Sequence, residues 1–178
     1  MQGYYIIIRG PLGVGKSTLS KAIANKLNGK YISIDSILQE HQLDESTDGN
    51  GIPLENFLKA DNLVLDIARA VITKGGVVVF DGNFYHIEQL DHIIEALGVR
   101  YYVFTLTASL ESCIKRDSQR PNSYGEDATR AVYSMVSQFN FGEIIDTEGQ
   151  TVETELKQIF ASLPISKENA NPDDKFNL

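Results

Sequence analysis

Short apolar runs and amphipathic stretches alternate along this chain of 178 residues. The apolar runs are continuous rather than interrupted at every second position, which is typical of strands buried on both faces of a parallel sheet. They predict five strands, near residues 4–9, 30–34, 76–81, 99–106 and 142–146. Apolar residues recur at helical spacing between them, as at Leu19, Ile23 and Leu27. This alternation predicts right-handed βαβ crossovers and an α/β fold with helices on both faces of the sheet.

The first predicted strand leads into a glycine-rich segment, GPLGVGKST at residues 10–18. It is a complete G-x-x-x-x-G-K-[ST] loop, whose backbone N–H groups form a nest for the α- and β-phosphates of a nucleotide. Lys16 is placed to reach the β- and γ-phosphates, and Ser17 to hold Mg²⁺. We therefore predict a nucleotide site whose contacts are Gly10, Gly13, Val14, Gly15, Lys16, Ser17 and Thr18.

Two carboxylates end predicted strands, at the sheet edge where ligands of such folds bind. Asp35 ends the second strand, where a carboxylate can accept the proton of an attacking hydroxyl; it is also a candidate N-cap for a helix starting at Ser36, and the two roles are compatible. Asp81 ends the third strand in the position of a Walker B carboxylate, which holds Mg²⁺ through water, with an Asp–Gly turn as the alternative. In the loop after it, Asn83, Tyr85 and His86 are candidate contacts for the acceptor, with a surface or capping position as the alternative for His86. Arg9, at the end of the first strand, is expected to have a structural partner.

Two arginines precede an irregular segment in the second half of the chain. Arg116 and Arg120 are spaced i, i+4, which predicts that both lie on one helix face immediately before Pro121 and Gly125. Paired arginines near a phosphate loop can stabilise charge in the transition state, whereas the alternative is a solvated helix face. We predict a lid at about residues 117–128. A second polar segment, residues 39–51, is either a substrate loop or a plain linker.

Composition adds limits to this picture. The 24 acidic and 16 basic residues give a net charge of −8, which leaves no extensive surface for nucleic acid, although a nucleic-acid end could enter a local basic cleft. The single cysteine, Cys113, cannot form an internal disulfide and is expected in the core. No apolar run is long enough to span a membrane, so we predict a cytoplasmic protein. Its length fits one domain, residues 1–163, followed by a polar tail, 164–178.

With these motifs in order, residues 4–163 resemble the small P-loop kinases, in particular the polynucleotide kinase-like, zeta-toxin-like and gluconate- or shikimate-kinase-like group. The resemblance implies a three-layer α/β/α sandwich with a five-stranded parallel sheet of order 2-3-1-4-5, ATP and Mg²⁺ as cofactors, and a closing lid. It also implies that Lys16 and Ser17 form the Walker A pair, that Asp35 is the base for the acceptor hydroxyl, and that Asp81 is the strand-three carboxylate. Arg116 and Arg120 match the arginines that lead into the lid.

The chain departs from two patterns in this group. Polynucleotide kinase-like members usually carry an arginine shortly after the second-strand aspartate, whereas Asp35 is followed by residues Ser-Ile-Leu. Adenylate kinases follow their Asp–Gly with Pro–Arg, whereas residues 83–86 are Asn-Phe-Tyr-His. Those arginines bind a phosphate of the acceptor, so their absence disfavours an acceptor whose hydroxyl has a neighbouring phosphate.

Two functions follow from the sequence. The first is an ATP-dependent kinase that transfers the γ-phosphoryl group to a hydroxyl of a small molecule or of a nucleotide or polynucleotide end. The alternative is a nucleotide-dependent switch or slow NTPase that acts through a protein partner, with residues 39–51 as the segment that responds to the nucleotide.

Overall fold

The fold is built on a five-stranded parallel sheet. The computed structural model describes residues 2–46 and 51–163; the predicted tail, 164–178, and residues 47–50 of the predicted substrate loop lie outside the described residues. The strands are β1 (Tyr4–Arg9), β2 (Lys30–Ser33), β3 (Val77–Gly82), β4 (Tyr101–Thr107) and β5 (Glu143–Asp146). Their order is β2-β3-β1-β4-β5, with every pair parallel, as predicted.

Helices connect the strands and cover both faces of the sheet. Within the described residues they are α1 (Lys16–Lys26), α2 (Ile34–Glu40), α3 (Leu54–Thr73), α4 (Ile87–Leu97), α5 (Leu110–Ser118), α6 (Glu126–Val136) and α7 (Val152–Ser162). Because side chains alternate along a strand, Ile7 of β1 joins a core with α2, α3, α4 and α6, whereas Ile6 and Ile8 join a second core with α1, α5 and α7. The predicted α/β/α sandwich is confirmed, and Cys113 lies fully buried in the second core.

The short helix α2 begins one residue earlier than Asp35. Ser33, the last residue of β2, is its N-cap, and the Ser33 Oγ accepts a hydrogen bond from the Ser36 N–H at 3.2 Å. The predicted capping role of Asp35 is therefore wrong, because Ser33 already satisfies that N–H. Asp35 lies in the first turn instead, where the positive end of the helix dipole favours a carboxylate.

None of the helices within residues 2–46 and 51–163 is long and apolar enough to cross a membrane.

A buried polar pair joins α3 to α4. Asp61 and Gln89 are both fully buried, and the Gln89 side-chain amide donates to the Asp61 carboxylate at 3.0 Å. Burial raises the pKa of Asp61 to about 7, and the Gln89 hydrogen bond only partly opposes this. The folded protein thus binds a proton that the unfolded chain releases near pH 4, so the stability from this group is present below about pH 4 and is lost as pH rises towards 7.

We therefore expect Asp61→Asn to be more stable than the unmutated protein at alkaline pH. Because asparagine cannot ionise, its advantage should grow by roughly 2 kcal/mol between about pH 5.5 and about pH 8. Urea unfolding at the two pH values measures this difference. Asp66→Asn, an exposed position on the same helix, is the matched control and should show no such growth; an equal response of the two variants would contradict the assignment.

Candidate functional site

The phosphate loop lies between the end of β1 and the start of α1, as predicted. Gly13 has a φ of 75°, and a Cβ there would lie 2.0 Å from the backbone carbonyl oxygen of Cys113, so the loop packs directly on the backbone of α5. Gly15, with a φ of 107°, turns the chain into α1. The loop therefore presents its backbone at the carboxyl edge of the sheet, next to the N-terminus of α1, which is a geometry that favours phosphate.

Lys16 connects the phosphate loop to Asn83, the residue that follows β3. Its buried ammonium donates to the Pro11 carbonyl at 2.8 Å and to the Asn83 side-chain oxygen at 3.0 Å. The Asn83 amide nitrogen in turn donates to Asp35, at 3.3 and 3.4 Å from its two oxygens. Burial lowers the pKa of Lys16, although the charges of Asp35 and Asp81 act in the opposite direction. Asn83 thus bridges the predicted donor lysine and the predicted base.

Two cavities meet at Asp35. The smaller, of about 140 Å³, lies over Lys16 and Ser17 and is also lined by Lys21 and Arg120. The larger, of about 440 Å³, extends from Asp35 and Asn83 towards α6. Asp35 lines both cavities, so its carboxylate is accessible from each of them.

The protonation behaviour of Asp35 suits proton transfer. Burial raises the pKa of Asp35 to about 6, with a further increase from the charge of Asp81 and an opposing effect from Lys16. A carboxylate with a pKa near 6 is ionised at neutral pH and still basic enough to accept a proton in a transition state.

Asp81 has one oxygen engaged and one free of any described partner. Its Oδ2 accepts from the Tyr31 hydroxyl at 2.7 Å, whereas its buried Oδ1 has no hydrogen-bond partner among the described residues. Tyr31 lines the same cavity as Ser17. A buried, unpartnered carboxylate oxygen near a phosphate-loop serine fits Mg²⁺, which is held in nucleotide sites by one or two protein oxygens, water and phosphates. β3 continues through Gly82, so the alternative of an Asp–Gly turn is wrong.

The two predicted arginines do not share a helix face. Helix α5 ends at Ser118 with Gln119 as its C-cap, so Arg120 lies in the turn that follows, where its backbone N–H bonds to the Asp117 carbonyl. Arg120 lines the smaller cavity beside Lys16. Arg116 is directed elsewhere: its guanidinium donates to the side chain and backbone carbonyl of Thr147 at 3.0 and 2.9 Å and to the Val14 carbonyl at 3.4 Å. The i, i+4 prediction failed because the helix ends ahead of Pro121, which cannot continue it.

The predicted lid segment is folded around Asp117. This carboxylate is buried, and its Oδ2 accepts from the Ser123 hydroxyl at 2.7 Å and from the backbone N–H groups of Tyr124 and Gly125 at 3.0 and 3.2 Å. The turn that carries Arg120 is therefore held by one side chain at the end of α5.

We expect Asp117→Ala to loosen this turn, because three donors lose a charged acceptor. The variant should lose about 2–4 kcal/mol of stability, and hydrogen exchange of the Tyr124 and Gly125 amides should accelerate. Chemical unfolding and amide exchange measure the two effects. Glu111→Ala, exposed on the same helix, should change the stability by less than about 0.5 kcal/mol; a similar loss in both variants would show that Asp117 does not hold the turn.

The loop between β3 and α4 is held in a strained form. Phe84 has a φ of 47°, which is unusual for a bulky residue, and its carbonyl accepts from the Arg9 Nε at 3.3 Å. Arg9 is fully buried and also bonds to Thr105 and to the carbonyls of Val136 and Phe139, so the prediction of a structural partner is confirmed. Arg9 thus ties this loop to the end of α6.

Of the three polar residues predicted to face the acceptor in this loop, Asn83 and Tyr85 line the larger cavity and His86 does not. Tyr85 accepts from the Ile52 N–H at 2.8 Å, and the His86 Nε2 lies 3.0 Å from the Ile52 carbonyl. These contacts anchor the segment that follows residues 39–51.

Sequence reasoning did not identify Lys21 or Tyr31, and it gave Asn83 only a contact with the acceptor. Lys21 is four residues after Ser17, a helical spacing that could have indicated its position over the same cavity. Tyr31 lies within an apolar strand, where no local signal marks a partner for Asp81. The bridge from Lys16 through Asn83 to Asp35 joins three distant parts of the chain, so it depends on the folded structure.

This chain is similar in sequence and in fold to several known kinases. A shikimate kinase from Actinobacillus succinogenes is 28% identical over 161 residues, which cover 85% of this chain and 88% of that protein. A sugar kinase structure from Janibacter sp. HTCC2649 superposes with a TM-score of 0.75 at 16% identity, over 95% of this chain and 99% of the other. A gluconokinase structure from Sinorhizobium meliloti has a TM-score of 0.63 at 13% identity, over 88% and 89%.

These similarities confirm the predicted resemblance to the gluconate- and shikimate-kinase-like group and the predicted class of phosphotransferase with a hydroxyl acceptor. The model of a family described as an AAA domain, AAA_33, matches residues 6–140, which is most of the chain. The chain therefore belongs to the AAA_33 family and is a small P-loop kinase by fold and motif.

Proposed function

We propose that this protein transfers the γ-phosphoryl group of ATP to a hydroxyl of a small molecule. The observation that carries the proposal is the position of Asp35, which lines both the basic cavity over the phosphate loop and the larger cavity next to it. A carboxylate between a donor site and an acceptor site is what hydroxyl activation requires.

The donor side would hold the phosphates through the loop backbone and through Lys16, which would exchange its bonds to Pro11 and Asn83 for phosphate oxygens. Ser17 and Asp81 would hold Mg²⁺, which neutralises charge on the β- and γ-phosphates when bound. Arg120 lines this cavity and would stabilise negative charge on the γ-phosphoryl group.

That Arg116 also stabilises charge on the γ-phosphoryl group remains a prediction. Its present partners, Val14 and Thr147, lie on the loop and after β5, so it would act on the nucleotide only by exchanging one of them.

On the acceptor side, the substrate hydroxyl would give its proton to Asp35 as its oxygen attacks the γ-phosphorus. The bond from that phosphorus to the β–γ bridging oxygen breaks, and ADP leaves. Asn83 donates to Asp35 and would orient the carboxylate during this step.

A screen with ATP labelled in the γ-phosphate tests this proposal. The panel contains sugars, nucleosides and oligonucleotides with a 5′-hydroxyl, so that it also covers the nucleic-acid end. We expect label in one class of hydroxyl compound, with dependence on Mg²⁺. Tight binding of ATP and Mg²⁺ without label in any acceptor would contradict the proposal.

The same screen distinguishes the alternative of a switch or slow NTPase. That function would release only inorganic phosphate, and proteolysis of residues 39–51 would differ between the ATP- and ADP-bound protein. Four described residues of this segment line the larger cavity, which supports a role as a substrate loop over that of a plain linker; they are Gln39, Asp44, Ser46 and Gly51.

A further inference from the structure

The larger cavity has walls of a distinct chemical character. Apolar side chains from α2 and α6 form much of them, among them Leu38, Val132 and Met135. The Tyr85 ring adds an aromatic surface next to Asn83. Such walls favour a ligand with an apolar face, while Asn83 and Asp35 supply the polar groups that would orient one hydroxyl.

The charges in this cavity have a single sign. Its carboxylates are Asp35, Asp44 and Asp127, and no lysine or arginine is among the described residues that line it. The basic side chains of the site, Lys16, Lys21 and Arg120, all line the smaller cavity instead.

An acceptor with a carboxylate or phosphate would therefore enter this cavity without a cation to pair with and close to carboxylates, which is unfavourable when water is displaced. We infer that the acceptor is a hydroxyl compound with an apolar face and no negative charge. This inference rests on the proposed function, because it takes the larger cavity as the acceptor site. It excludes sugar acids such as shikimate and gluconate, and also a polynucleotide end, whose phosphates follow the hydroxyl closely.

Binding of three matched ligands tests the charge preference without relying on turnover. Mandelate, mandelamide and 2-amino-1-phenylethanol each have a phenyl ring and a benzylic hydroxyl, and they are anionic, neutral and cationic at neutral pH. Titration of the full chain, saturated with ADP and Mg²⁺, is followed by amide chemical shifts. We expect the neutral and cationic ligands to bind at least about tenfold more tightly than mandelate, with shifts at Val132 and Tyr85. Equal or tighter binding of mandelate would overturn the inference, as would the absence of binding by all three.

A designed change of charge adds a second readout. Ala131→Arg places a cation at the exposed wall of the cavity and should improve mandelate binding by about tenfold. Ser134→Arg is the control, because Ser134 is exposed on the same helix but outside the cavity; this substitution should leave the affinity for mandelate unchanged. An equal response to both substitutions would overturn the inference. If neutral compounds bind but none is phosphorylated, the kinase proposal fails while the charge preference stands.

Discussion

Asp35→Asn should reduce phosphoryl transfer by about 10²–10⁴-fold while ATP binding stays nearly unchanged, because asparagine keeps the shape of the side chain but cannot accept the proton. Asp35 lies between the two cavities and is bonded to Asn83 rather than to the phosphate loop itself. The loss should therefore appear in kcat and not in the affinity for ATP. Steady-state kinetics with the acceptor identified by the screen, together with ATP titration, measure both quantities.

The pH profile gives the same prediction an independent check. The pKa of Asp35 is raised to about 6, so the unmutated protein should lose kcat/KM for the acceptor as pH falls through about 6, because the base becomes protonated. The control is Asp91→Asn, at an exposed position on α4. It should keep both the rate and this loss of kcat/KM at acid pH, the acid limb of the profile. A variant at position 35 that transfers phosphate at the normal rate would remove Asp35 from the mechanism.

Lys16→Met should reduce kcat/KM for ATP by about 10²–10³-fold, because a positioned cation on the transferring group is lost. The same change should move the acid limb upward, since the charge of Lys16 lowers the pKa of Asp35. The two effects share one cause, the loss of the positive charge of Lys16, which Asn83 holds close to Asp35. Kinetics in ATP across a range of pH values measure them together.

Lys26→Met is the matched control for this variant. It removes an exposed lysine from the last turn of the same helix and should leave both the rate and the acid limb unchanged. A Lys16→Met protein with reduced ATP affinity and an unmoved acid limb would show that the lysine and Asp35 are not coupled.

The sequence predicted the layers and the strand order because they depend on local patterns. Apolar runs predicted the strands to within one or two residues, and the runs are continuous at β1, β3 and β4 because these central strands are buried on both faces. The phosphate loop could be predicted equally well, because its function requires specific residues at fixed spacing within one segment. Asp35 and Asp81 could be placed at one edge of the sheet for the same reason, as each follows a run that ends there.

What the sequence did not predict depends on contacts between distant segments. The helix with Arg116 was expected to continue to Arg120, whereas it ends at Ser118, and the turn that follows is held by three donors that bond to Asp117 from further along the chain. The contact of Asn83 with Lys16 spans 67 positions, and no local pattern indicates it. The apolar and acidic lining of the larger cavity could not be predicted either, because its walls come from α2, α6 and two loops that meet only in the folded protein.

The position of a bound acceptor tests the central claim most directly. A crystal structure with ADP, Mg²⁺ and the acceptor found in the screen should place one acceptor hydroxyl within about 3.2 Å of an Asp35 oxygen. That hydroxyl should point towards the side of the phosphate loop where Lys16 and Arg120 lie, with the rest of the molecule against α6. An acceptor bound with no hydroxyl near Asp35, or bound outside the larger cavity, would contradict the account.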